Sequence, residues 1–177
     1  NSLVPTILVA MGGTDEKNMT EFIIQSLNSV NNNFEAKIIV GSGYPYLKQL
    51  KKKLKDVNFK FELFHNPKNI AGVMSQADCA IISFGQTAYE LAALRVPSLY
   101  LCLTEDHLSS SQLFVNHGVG VSLGLFAQKS DSELIEELEI HLNEKQASND
   151  SSNHSKLLNI SDLAKMSSLI IEGVTNV

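Results

Sequence analysis

Three observations predict a doubly wound α/β domain, Rossmann-like, with a mainly parallel six-stranded sheet and helices on both faces. Short apolar, β-rich runs alternate with amphipathic stretches at helical spacing. The apolar runs are continuous rather than alternating, which implies burial on both faces and hence parallel strands. The alternation repeats from residue 6 to residue 124, as successive βαβ units require.

Residues 6–11 form the first strand-like run. Four more lie at 36–40, 59–64, 79–82 and 98–103, and a weaker sixth at 119–123. Between them, residues 18–30 place Phe22, Ile23, Ser26, Leu27 and Val30 at helical spacing, and 45–54 do the same with Leu47, Leu50 and Leu54. Shorter helices are predicted at 70–75, 87–94 and 109–116. Residues 131–142 read as an amphipathic helix with Leu134, Ile135 and Leu138 inward. A polar stretch at 143–155 reads as a loop, and 157–171 as a last helix carrying Leu157, Leu158, Leu163, Leu169 and Ile170. There is no internal repeat. The expected organisation is one domain over 1–177: a linker or fusion scar at 1–5, a core at 6–124 and C-terminal helices at 125–177, with upstream sequence expected before Asn1.

The chain has 177 residues, enough for one full core. Hydrophobic residues make up 44% and charged residues 19%, as in soluble globular proteins. A net charge of -5 argues against a chain that grips nucleic acid through its phosphates. The basic cluster Lys48, Lys51, Lys52, Lys53 and Lys55 reads as a solvated helix face. Cys79 and Cys102 lie in apolar runs, as buried free thiols of a reducing compartment do, and show no metal spacing. No stretch approaches the roughly 20 apolar residues of a membrane span, and no signal peptide is visible. A cytoplasmic location, no metal and no cofactor are the corresponding expectations.

Ligands of open parallel sheets bind beyond the carboxyl ends of the strands, so the loops there carry the chemistry. Met11-Gly12-Gly13-Thr14-Asp15 follows the first strand. Its glycines allow close approach, the helix start behind it favours an anion, and Asp15 or Asn18 could cap that helix. It lacks the third glycine of the dinucleotide fingerprint. Gly41-Ser42-Gly43-Tyr44-Pro45-Tyr46 is a turn with exposed aromatics, either ordinary or able to stack on a ring. His65-Asn66-Pro67 follows the third strand, and Asn66 with Pro67 suits a helix start. Ser83-Phe84-Gly85-Gln86-Thr87 leads into a helix carrying Glu90. Backbone N–H groups and a hydroxyl at such a start suit a pyrophosphate, and a carboxylate suits a vicinal diol. The plain alternative is a reciprocal cap between Thr87 and Glu90. Thr104-Glu105-Asp106-His107 follows the fifth strand, where sugar binding or capping is favoured over proton transfer.

In this order, with Ser75-Gln76-Ala77-Asp78 and Leu94-Arg95-Val96-Pro97 between them, the loops resemble the C-terminal domain of B-type glycosyltransferase-fold proteins. They look most like the UDP-sugar hydrolase of pseudaminic acid biosynthesis and the spore-coat polysaccharide proteins. The resemblance covers roughly residues 7–124 and implies a UDP-sugar ligand. Gly12, Gly13, Thr14, Ser83, Gly85, Gln86 and Thr87 would hold the diphosphate, Glu90 the ribose, and the loop from Asn66 to Ile70 would flank the uracil. Asp106 and His107 would face the sugar. Two departures stand out. Gln86 fills a position where the family often has a second glycine, and Asp106-His107 replaces an amide pair. The resemblance places the catalytic His in an N-terminal α/β domain, so no catalytic residue is expected in this chain. Two other readings remain. One is a separate half that pairs with a partner subunit, as in some eukaryotic UDP-GlcNAc transferases. The other is a non-catalytic α/β binding module.

Overall fold

The structure is a computed structural model and describes residues 4–143. Six strands run β1 (Thr6–Ala10), β2 (Glu35–Val40), β3 (Lys60–His65), β4 (Cys79–Ile82), β5 (Ser98–Cys102) and β6 (Gly120–Leu125). Six α-helices run α1 (Met19–Ser29), α2 (Leu47–Lys53), α3 (Ile70–Met74), α4 (Gln86–Ala93), α5 (Glu105–Asn116) and α6 (Asp131–Asn143). The sheet order is β3-β2-β1-β4-β5-β6, and every pairing is parallel. The predicted fold class is therefore observed. The predicted last helix at 157–171, and the polar loop beyond Asn143, lie outside the described residues.

Central strands read as continuous apolar runs because both faces are covered. Ile7 and Val9 join one buried cluster with Ile23 and Leu27 of α1, Leu50 of α2 and Leu134 and Leu138 of α6. Leu8 and Ala10 join the other, with Val73 of α3, Leu91 of α4 and Phe114 of α5. Each large side chain so buried contributes about 1.5–3 kcal/mol relative to exposure. One expectation fails at β3. Its residues are exposed or half-buried, because it is the sheet edge and one neighbour is missing. Charged side chains at its start meet β2 in the pairs Lys37–Glu62 and Lys60–Glu35. Lysines on an edge strand blunt its tendency to recruit another chain.

Helix starts and caps also differ in places from expectation. α5 begins at Glu105, four residues early, because Thr104 Oγ1 accepts the His107 N–H at 3.2 Å and caps it. α3 is capped by Asn69, whose Oδ1 accepts the Gly72 N–H at 2.9 Å, and not by Asn66. α4 begins at Gln86. The lysine cluster on and after α2 is exposed, and both cysteines are buried and outside any disulfide.

α4 and α5 end alike. Arg95 and Val96 donate to the carbonyls of Ala92 and Leu91, and Gly118 and Val119 donate to those of Val115 and Phe114. Both ends need a left-handed residue, with φ 68° at Gly118 and φ 60° at Arg95. A Cβ at Gly118 would meet nothing within 4 Å, so only backbone strain opposes a side chain there. Gly118→Ala is expected to lower stability by about 1 kcal/mol and Arg95→Gly to raise it by roughly 0.5 kcal/mol, read by urea unfolding.

Candidate functional site

Because all six strands are parallel, their carboxyl ends share one edge of the sheet. The order reverses between β1 and β4, and a doubly wound sheet opens its crevice at that point. The two glycine turns flank it. Gly12, Gly13 and Thr14 follow β1 and are exposed. Gly12 has φ 98°, a conformation that glycine supplies without strain. A Cβ at Gly12, Gly13 or Gly85 would meet nothing within 4 Å, so both turns present bare backbone to open space.

The helix starts behind the two turns differ. Asp15, with φ 40°, folds its carboxylate back onto α1. It accepts the N–H groups of Met19 and Thr20, each at 2.8 Å, and is only 8% exposed. Of the two expected caps, Asp15 is the one formed; Asn18 makes no cap bond. The protein's own carboxylate thus fills the place where an anion was expected behind the first loop. Burial raises the Asp15 carboxyl above its ordinary value, and hydrogen bonds from Thr20 and Met19 pull it back.

α4 is open by contrast. Gly85 occupies its N-cap position and no side chain caps it. The reciprocal pair expected of Thr87 and Glu90 is replaced by a different one, in which Gln86 Nε2 donates to Glu90 Oε1 at 3.0 Å. Gln86 and Glu90 are exposed, and Ser83, Gly85 and Thr87 are half-buried. The turn is held from beneath by Phe84. Its buried ring meets Tyr100 edge-on at 5.3 Å and Phe114 at 5.2 Å.

The remaining predicted residues lie further along the same edge. Asn66, with φ 50°, and exposed Ile70 follow β3, two strands from β1, or roughly 10 Å at ordinary strand spacing. Asp106 is exposed, and His107 is half-buried in the first turn of α5. The His107 Nδ1 is buried without a hydrogen-bond partner among the described residues. One expectation is corrected here. Tyr44 is not an exposed ring: it is 5% exposed and its hydroxyl donates to Asn18 Oδ1 at 2.5 Å. Sequence reasoning missed this link and the buried Glu21 behind it. The only signal was the Asn18 and Glu21 spacing of three on a helix start. Among the described residues, no three His, Cys, Asp or Glu side chains are placed to hold a metal ion, and no helix is long and apolar enough to cross a membrane.

This geometry has counterparts among solved structures. The chain superposes on MurG of Acinetobacter baumannii with a TM-score of 0.72 at 14% identity, over 100% of this chain and 51% of that one. This is one half of the B-type glycosyltransferase fold. The same fold half recurs in Anabaena Alr3699/HepE, solved in complex with UDP-glucose, with a TM-score of 0.59 at 15% identity over 97% of this chain and 49% of that one. No protein-family model matches the chain. Over 131 residues it is 28% identical to the spore coat polysaccharide biosynthesis protein SpsG of Bacillus subtilis, which is 73% of this chain and 38% of that protein. Over 146 residues it is 32% identical to a Helicobacter pylori protein named pseudaminic acid cytidylyltransferase and UDP-2,4-diacetamido-2,4,6-trideoxy-beta-L-altropyranose hydrolase, 81% of this chain and 25% of that protein. The chain therefore spans well under half the length of these curated relatives.

The buried cap of this B-type domain has a pH signature. Burial lifts Asp15 above 3.8 in the fold, so its share of stability is full below that pH and is lost as pH rises through the lifted value. Asp15→Asn removes the titration. The stability of the wild type minus that of Asp15→Asn is expected to fall as pH rises from 3.8 toward neutrality, in urea titrations at each pH. A difference independent of pH would contradict the assignment.

Proposed function

We propose that this domain is the UDP-sugar-binding, C-terminal half of a nucleotide-sugar hydrolase or glycosyltransferase of surface-glycan biosynthesis. The observation that carries the reading is the uncapped start of α4 beside the bare Gly12-Gly13 turn at the strand-order reversal. Free N–H groups and the positive end of a helix stabilise phosphate oxygens, and backbone without Cβ atoms lets them approach. Gly12, Gly13 and Thr14 would line one side of the diphosphate, and Ser83, Gly85, Gln86 and Thr87 the other.

Glu90 lies one turn into α4, with one carboxylate oxygen engaged by Gln86. Its remaining acceptor capacity suits the two ribose hydroxyls, since an ionised carboxylate has about four lone-pair sites. Asn66 and Ile70 would flank the base. Asp106 and His107 would face the sugar, from the exposed and half-buried first turn of α5. A second α/β domain, in the same chain or as a partner subunit, would close the crevice and supply the catalytic group. The names of the Bacillus and Helicobacter relatives, and the UDP-glucose of the Anabaena structure, support this reading over a module for an unrelated ligand.

Calorimetric titration with UDP tests it. Saturable binding is expected, weakened by about 1.5–3 kcal/mol in Glu90→Ala through loss of hydrogen bonds to a charged acceptor. Absence of binding at millimolar UDP, with the chain folded, would refute the reading.

A further inference from the structure

We propose that the turn after β2 is a clamp that sets the position of the Gly12-Gly13-Thr14 loop, with Tyr44 as its positioning residue. The inference rests on the nucleotide reading above and deepens it, because it assigns the shape of one wall of the site to residues that touch no ligand.

The two turns are packed against each other along their length. A Cβ at Gly41 would run into the Gly13 carbonyl oxygen and Cα, so the second turn abuts the backbone of the first. A Cβ at Gly43 would come within 3.0 Å of Thr14 Cγ2. Tyr46 donates its hydroxyl to the Glu16 carbonyl at 3.0 Å, and its ring meets that of Tyr44 edge-on at 5.8 Å. Tyr44 reaches furthest in. Its hydroxyl donates to Asn18 Oδ1, Asn18 Nδ2 donates to Glu21 Oε2 at 2.8 Å, and Glu21 also accepts from Gln49 at 2.6 Å and from Gln25 at 3.2 Å. One short turn therefore touches the first loop at Gly13, Thr14, Glu16 and Asn18.

The direction of each bond makes Tyr44 the controlling member. The Asn18 amide must turn its NH2 to the Glu21 carboxylate, which leaves its oxygen needing a donor. Only a protonated phenol supplies that donor here. An ordinary phenol already keeps its proton at neutral pH, and burial, with Asp15 and Glu21 nearby, pushes the Tyr44 phenol further upward. The loop needs such support. Asp15 and Asn18 both hold left-handed backbone with φ 40° and 54°, a strain that persists only where surrounding contacts over-determine it.

Tyr44→Phe removes the hydroxyl alone. In the full chain, amide hydrogen exchange at residues 18–20, whose N–H groups bond Asp15, is expected to rise while that at Ala88, bonded to the Gly85 carbonyl, holds. The dissociation constant for UDP is expected to weaken about fivefold, the equivalent of one net hydrogen bond. Gly43→Ala, which displaces only the Thr14 methyl, is expected to weaken UDP in the same direction, and it carries the test should Tyr44→Phe fail to fold. Unchanged UDP affinity in a folded Tyr44→Phe, with Glu90→Ala still weakened, would overturn the clamp and leave the nucleotide reading standing. A lower melting temperature with unchanged affinity would reduce Tyr44 to a purely structural residue and overturn it too. Failure of the wild type to bind UDP would remove the nucleotide reading, and the clamp's role with it.

Discussion

Parallel pairing of β1 with β2 on one side and β4 on the other is the constraint on which the rest of the molecule depends. Ile7 pairs with Ala36 across one ladder and with Cys79 across the other. The connection from β1 leads toward β3 and the connection from β4 leads toward β6, so the chain departs in opposite directions from neighbouring strand ends. A crevice follows from that divergence. The glycine turns after β1 and β4 sit on its two rims, and the packing beneath keeps them there. Ile7, Leu8 and Val9 are fully buried, so neither rim can drift without opening the core.

The two rims are not equivalent. α1 begins under Asp15, a buried carboxylate already bonded to two N–H groups. α4 begins under Gly85 with no side chain capping it. A net charge of -5 gives the protein no long-range attraction for a phosphate, so in the proposed function local dipoles would do the binding. This contrast favours α4 as the phosphate anchor and leaves the β1 side as a shaped wall. The capped side is also where strain collects, at Asp15 and Asn18. Stiffness on one rim and open hydrogen-bonding groups on the other are a workable division of labour for holding a diphosphate.

The sheet was legible because burial leaves a mark in every central strand. Residues 79–82 are apolar throughout, since both faces are covered. Edges were less legible: β3 carries Lys60 and Glu62 beside Phe61, and only the missing neighbour explains that mixture. Turn chemistry marked the loops of the proposed site, because glycines at strand ends are visible in sequence. Their wiring was not visible. Tyr44 and Asn18 are 26 residues apart and meet only because β2 lies beside β1. The exchange of partners at α4, from Thr87 with Glu90 to Gln86 with Glu90, turns on a helix start one residue earlier than the sequence suggests. A one-residue shift at a boundary decides whether an N-terminus is capped, and propensity does not resolve boundaries that finely.

The most direct test of the central claim is an amide chemical-shift map of the isotope-labelled chain titrated with UDP. The account predicts saturable shifts at residues 12–14 and 85–90, the two rims of the crevice, with the edge at 60–62 unmoved. Saturable shifts confined to the amino ends of the strands, or centred on β3, would contradict it.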